Sequence, residues 1–175
     1  MSIDIPTPSG DAGTKLENSE AGFVAPARLH ESLQAVLVDL VNLHLLGKQA
    51  HWNIVGTNFR DLHLNLDELV TVARVGADDV AERMRALHAT PDARVAVVAA
   101  GTSLPEFAAG EINTTDAIKL VVRAIEATVG TMREVHDGVD EDDPTSADLL
   151  HEVIAKLEQQ AWFIGAEIRE PSPLT

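Results

Sequence analysis

Four side chains in one stretch of the sequence, His63, Asp67, Asp78 and Glu82, carry imidazole nitrogen and carboxylate oxygen, the groups that bind transition metals. On a helix, at about 100° per residue, all four fall within roughly one third of the circumference. A mixed imidazole and carboxylate set suits iron, manganese or zinc, whereas calcium asks for oxygen ligands only. Carboxylates favour the harder ferric state and imidazole tolerates both states, so such a set binds Fe(II) and eases its oxidation.

Asp67 and Asp78 are, however, eleven residues apart in the sequence, about 16 Å along a helix axis, while the ligands of one ion lie about 2 Å from it. They cannot serve the same ion within one chain. Two copies packed antiparallel about a two-fold axis would bring Asp78 and Glu82 of one chain opposite His63 and Asp67 of the other. His51 joins the set if a tight turn at Gly56 folds the end of the preceding helix back beside the start of this one. A di-iron centre inside a single bundle would need a Glu-x-x-His motif, and that spacing does not occur. The plain alternative is a solvated helix face with incidental ion pairs, Glu82 standing near Arg74 or Arg85. Trp52 has two readings, a core anchor or an aromatic wall that shapes the site and intercepts oxidising radicals. His30, His44, His88, His136 and His151 lack comparable carboxylate partners in register and are read as structural or surface groups.

The elements that must position these residues are helical. Leu33, Val36, Leu37, Leu40, Leu43, Leu46 and Ala50 recur every three or four positions, which predicts a long amphipathic helix from Ala27 to about Val55. Gly56 stops it, Thr57 or Asn58 caps a successor from Phe59 to about His88, and Asp61 complements that successor's dipole. The segment Thr90 to Glu111, with its prolines and glycines, reads as a long crossover holding one short helix near Val95 to Ala100. A third helix, capped by Thr114 or Thr115, ends near Gly138. The acidic run 137–143 then makes a turn into Pro144, which opens a fourth helix to about Arg169. Nothing reads as a strand. The expectation is an all-α, ferritin-like four-helix bundle with a short helix in the crossover between helices two and three. The bundle spans 27–170, with a flexible N-terminal tail at 1–26 and a short C-terminal tail at 171–175. The first of these is rich in Ser, Thr, Gly and Pro, too poor in large apolar groups to offset the entropy of ordering.

A chain of 175 residues with 45 % hydrophobic content fits one domain with a real core. It has no cysteine and neither the basic start nor the apolar run of a secretory signal, so the expected location is cytoplasmic. The most apolar stretch, Ala35 to Leu46, is interrupted by Asp39, Asn42 and His44, which argues against a membrane span. The net charge of -15 repels nucleic acid and attracts cations.

The residues KQAHWN at 48–53, NFRDLHLNLDEL at 58–69, ADDVAERM at 77–84 and LEQQAWF at 157–163 together resemble the signature of the Dps family, and the likeness runs from Ala27 to Arg169. The resemblance implies a hollow shell of twelve subunits with ferroxidase centres at two-fold interfaces. It carries His51, His63, Asp67, Asp78 and Glu82 onto such a centre, as both catalytic residues and metal ligands. Asp78 and Glu82 of one subunit with His51 of its mate would hold the tighter iron. His63 and Asp67 would support a second, weaker ion, giving two iron ions per shared site. Hydrogen peroxide or oxygen would be the oxidant and protection against oxidative damage the purpose. Acidic pores near the start of the last helix make Asp142, Asp143 and Asp148 candidates for the iron path. Several family members bind DNA through basic tails, but here Lys15 is the only basic residue before Arg28 and the closing PSPLT has none. DNA binding is therefore expected to be weak or absent. The competing reading is a nucleoid protein that condenses DNA independently of iron.

Overall fold

The computed structural model describes Phe23 and residues 25–171, so most of the tail assigned to 1–26 and nearly all of 171–175 lie outside the described residues. The elements, in chain order, are α1 (Ala27–Asn53), β1 (Ile54–Val55), α2 (Phe59–Ala86), α3 (Val95–Gly101), β2 (Ile112–Asn113), α4 (Thr114–Asp142) and α5 (Pro144–Ala166). Helix α1 packs on α2 and α4, and α5 packs on α4 and α2, which closes a four-helix ring. Among the described residues no helix is long and apolar enough to cross a membrane.

Periodicity makes this ring. Leu29, Leu33, Leu40, Leu43 and Ala50 of α1 meet Leu62, Leu66, Leu69 and Ala73 of α2 in the core. Ile118, Val121, Ile125 and Met132 of α4, with Leu150, Leu157 and Ile164 of α5, complete it. Fully burying each leucine or isoleucine is worth about 2 kcal/mol relative to exposure, so packing rather than helix propensity supplies most of the stability of these long helices.

The crossover is pinned by polar contacts. Asp39 on α1 is buried, and its carboxyl group accepts hydrogen bonds from Thr102 Oγ1 at 3.0 Å, Ser103 N at 2.8 Å, Ser103 Oγ at 2.6 Å and Thr131 Oγ1 on α4 at 2.6 Å. Asp39 thereby ties α1 to the crossover and to α4 at one point, and removing its carboxyl group would cost about 0.5–1.5 kcal/mol for each bond lost. At the other end of α3, Gln34 brackets Asp92 by donating to its carbonyl at 2.8 Å and accepting from its amide at 2.9 Å.

The structure departs from the sequence reading in four places. Ile54 and Val55 pair in parallel with Ile112 and Asn113, where no strand was expected. Two residues are too few to show alternation, and the pairing exists because the crossover returns to the end of α1, where Ile54 enters the core. The α4 N-cap is Asn113, whose side chain accepts from Asp116 N at 2.9 Å, not Thr114 or Thr115. Asn58 does precede α2, but in a left-handed conformation with no side-chain cap bond. Finally, α4 runs through the acidic segment to Asp142, and the chain reverses across Asp143 alone. Buried Val139 continues the apolar face beyond Gly138, and Arg28 on α1 holds the end, donating to Asp142 Oδ2 at 2.7 Å.

Close approach of α1 to α2 is set by Gly47. A Cβ there would stand 2.9 Å from Val70 Cγ2, closer than carbon atoms tolerate, and Val70 is stiff about χ1. A Gly47→Ala variant should lose about 1 kcal/mol in denaturant unfolding, overpacking of about 1–3 kcal/mol outweighing a helix-propensity gain of about 1 kcal/mol. A double variant that adds Val70→Ala should be more stable than the sum of the single effects predicts.

Candidate metal centre

The turn between α1 and α2 builds the first half of the site. Gly56 has φ +113°, the left-handed region that favours glycine, and Thr114 Oγ1 donates to Thr57 O at 2.6 Å, tying the turn to α4. The reversal lays His51, in the last turn of α1, against His63, in the second turn of α2. Their rings stack with centroids 3.6 Å apart and an interplanar angle of 24°.

Each of these imidazoles is oriented by the other's backbone. His51 Nδ1 lies 3.0 Å from His63 O and His63 Nδ1 lies 3.1 Å from His51 O. A carbonyl only accepts, so each Nδ1 carries the hydrogen, and each Nε2 is left with the lone pair that binds metal. Fixing the tautomer through the far nitrogen is how metal-binding histidines are ordinarily prepared.

Asp67 joins this pair, its Oδ1 3.3 Å from His51 Nδ1. The same oxygen takes an ion pair from Lys48, one turn before His51. The Lys48 hydrogen bond, helped by the two histidines and Lys48's charge, holds the Asp67 carboxyl below the usual carboxylate range against the opposing effect of burial. Phe59 flanks His63 with ring centres 5.2 Å apart. Trp52 is 71 % exposed, which rules out a core anchor within the subunit, and it lines a groove toward the crossover with Leu45, Gln49, Leu104 and Phe107.

Asp78 and Glu82 stand elsewhere on the subunit. Asp78 lines a groove of about 540 Å³ between α1 and α2, with His44, Arg74, Thr71 and Val75. Burial, then the charges of Arg74 and Lys48, lowers the pKa of His44 and favours its neutral form. Glu82 lines a shallower groove toward α5 with Asp79, Arg83 and Glu152. The subunit thus brings together His51, His63 and Asp67 and keeps Asp78 and Glu82 apart from them. Among the described residues, no group of three or more His, Asp or Glu side chains in the subunit is arranged to hold a metal ion.

The three acidic pore candidates differ in environment. Asp142 is engaged by Arg28. Asp143 is buried and bound by Arg83 at 2.6 Å and by Ser146 Oγ. Burial alone would raise its pKa, but the Ser146 and Arg83 contacts win and lower it. Asp148 is exposed, with His151 Nδ1 3.9 Å away. Sequence reasoning gave Lys48 no role, although its place three residues before His51 puts it on the same helix face.

Comparison with known proteins gives this geometry its context. A family profile described as a ferritin-like domain matches residues 30–172. The chain is 34 % identical over 136 residues to DNA protection during starvation protein 2 of Deinococcus radiodurans, an alignment covering 78 % of this chain and 56 % of that protein. The chain thus spans little more than half the length of that relative. It is 32 % identical over 170 residues to the DNA protection during starvation protein of Halobacterium salinarum, covering 92 % of this chain and 91 % of that one. In three dimensions it is similar to Dps from Microbacterium arborescens in the high iron form, with a TM-score of 0.78 and 35 % identity over 85 % of this chain and 99 % of that one. The bundle, the short crossover helix and these likenesses agree: the chain belongs to the Dps family of ferritin-like proteins.

Proposed function

We propose that this protein is a ferroxidase and iron-storage mini-ferritin, which oxidises Fe(II) with hydrogen peroxide or oxygen at sites shared by two subunits of a dodecameric shell in the cytoplasm. The observation that carries the reading is the reciprocal histidine clamp, in which each Nδ1 faces the other's backbone carbonyl so that the lone pair of the neutral ring falls on Nε2, with Asp67 against the Nδ1 edge of His51. Asp78 and Glu82, on the same helix but out of reach, supply the carboxylates from the partner subunit.

Ferrous iron is the substrate, two ions per shared site. Two ions held together give up one electron each, so hydrogen peroxide takes both electrons and two protons and leaves as two waters, without the one-electron step that releases hydroxyl radical. The chain's own part is to hold the ions close, to favour the ferric product through carboxylate oxygen, and to wall the site with Trp52. Of the acidic pore candidates, Asp148 keeps the most exposed carboxylate for drawing in cations, while Asp142 and Asp143 are engaged by arginines.

Sharing has a direct test. A His51→Ala/His63→Ala variant and an Asp78→Ala/Glu82→Ala variant should each assemble and each lose rapid iron oxidation. Co-assembled at equal amounts, half of the dimers are mixed and each mixed dimer regains one of its two sites, so about a quarter of the parent activity returns. No recovery in confirmed mixed shells would refute the shared site.

Lys48 sets the weakness of the second ion, because its ammonium occupies Asp67 and repels a cation. An exposed pair of this kind is worth at most about 1 kcal/mol, so Lys48→Met should tighten binding of the second Fe(II) by up to about fivefold in anaerobic titration. Unchanged affinity would remove Lys48 from the mechanism.

DNA binding is weak or absent on this reading, since the net charge is -15 and phosphate neutralisation is lacking. Without magnesium and at about 0.15 M salt, the assembled protein should leave duplex DNA unshifted in a gel. A clear retarded band would overturn this.

A further inference from the structure

We propose that Thr114, the first residue of α4, is a positioning residue for the metal centre: its hydroxyl fixes the α1–α2 turn in the course that lets His51 and His63 clamp each other. His51 is in the last turn of α1 and His63 in the second turn of α2, so the path of residues 54–58 decides how the two rings meet. The clamp also needs a free carbonyl on His51, because His63 Nδ1 lies 3.1 Å from it. A helix leaves its last four carbonyls without an intrahelical partner. Here α1 ends at Asn53, the Ile54 amide takes Ala50 O, and His51 O is the next in line. Had α1 run on to Val55, as the apolar spacing predicts, the Val55 amide would take His51 O and His63 would lose its acceptor.

What stops α1 lies outside it. Ile54 is extended, with ψ 143°, and Ile54 and Val55 pair with Ile112 and Asn113, the residues directly before Thr114. Gly56 and Asn58 then hold positive φ of 113° and 60°, a conformation that glycine and asparagine tolerate best. Asn58 makes no side-chain cap bond. Thr57, between them, has its carbonyl 2.6 Å from Thr114 Oγ1, a side-chain hydrogen bond that reaches the turn from a different helix.

The donor is itself immobilised. Thr114 is buried, and its hydroxyl sits under the turn, since a Cβ on Gly56 would stand 3.7 Å from Oγ1, in ordinary van der Waals contact. Asn113 caps α4 by accepting from Asp116 N at 2.9 Å and donating to Asp116 Oδ2 at 2.7 Å, which holds the backbone that carries Thr114. A β-branched residue has few rotamers, and that limits the directions the hydroxyl can take. A turn built on two positive-φ residues persists where its surroundings over-determine it. The Thr114 bond is the part of those surroundings that one substitution removes while the backbone pairing of β1 with β2 stays in place.

The test compares the assembled, metal-free parent with Thr114→Val, which keeps the branched shape and removes the donor, and with Thr114→Ser, which keeps the donor. In crystal structures, the parent and Thr114→Ser should retain both contacts from Nδ1 to carbonyl, 3.0 and 3.1 Å. Thr114→Val should open at least one of them beyond about 3.6 Å, where no hydrogen bond remains. In anaerobic Fe(II) titration, Thr114→Val should bind the ion at the histidine pair about tenfold more weakly, the scale of loss when a group that orients a metal ligand is removed, and Thr114→Ser should stay within about twofold of the parent. Retention of both contacts in Thr114→Val, or an unchanged Fe(II) affinity beside a merely lower unfolding midpoint, would overturn the proposal. Should Thr114→Val not assemble, Thr114→Cys, whose thiol is only a weak donor, takes its place in both measurements. The titration rests on the ferroxidase reading and the crystallographic distances do not. A parent that binds no Fe(II) would sink that reading, while the distances still decide the role of Thr114.

Discussion

The contact on which the arrangement depends is the close approach of α1 to α2 at Gly47 and Val70. Helices with ordinary side chains at the contact pack 8–10 Å apart, and a missing Cβ lets the backbones draw nearer. Val70 Cγ2 already fills the space that the Cβ would take. One turn further along α1, and nearly two turns back along α2, the same proximity stacks His51 on His63. The reciprocal bonds from each Nδ1 to the other's carbonyl require that separation, since a shift of 0.5 Å or so would take both past good hydrogen-bond length. Packing of an apolar pair therefore sets the tautomer of a polar one.

A second constraint follows from electrostatics. Stacked imidazoles next to a lysine would repel one another if both were protonated, and Asp67 between them and Lys48 offsets that repulsion. The same carboxylate is therefore engaged twice, as a structural counter-ion in the free subunit and as a ligand in the proposed centre. A metal ion arriving in that proposed centre would have to displace an ammonium from Asp67 as well as water.

Much of this was legible in the sequence. The i, i+3, i+4 apolar spacing gave α1 its place, Gly56 marked the turn into α2, Pro144 the start of α5, and the short apolar run at Val95 the crossover helix. The separation of Asp67 from Asp78 along α2 already argued that one subunit could not close the centre. What stayed hidden depends on pairs distant in sequence. The β1–β2 pairing and the Asp39 hub join α1 to a crossover some sixty residues later, and no local pattern encodes either. The continuation of α4 from Gly138 through four further residues, three of them acidic, was missed because composition suggested a turn, whereas Val139 and the arginine on α1 support the helix. His136 and His151 looked like isolated surface groups for the same reason: their rings meet, with centroids 4.4 Å apart, only after the chain reverses at Asp143.

The charge distribution gives these local arrangements a common direction. Seven cationic side chains, Arg28, Lys48, Arg83, Arg94, Lys119, Arg133 and Lys156, are already paired with carboxylates within the subunit. Most of these pairs are exposed and stabilise the fold by about 0–1 kcal/mol each, so their larger effect is on the outer field. They neutralise basic groups that would otherwise meet phosphate and leave the net charge of -15 unchanged. A surface of that sign concentrates divalent cations around the protein long before any specific ligand is reached. Imidazoles placed among those acids then discriminate, because a carboxylate field gathers magnesium and calcium as readily as iron or zinc, and nitrogen ligands do not.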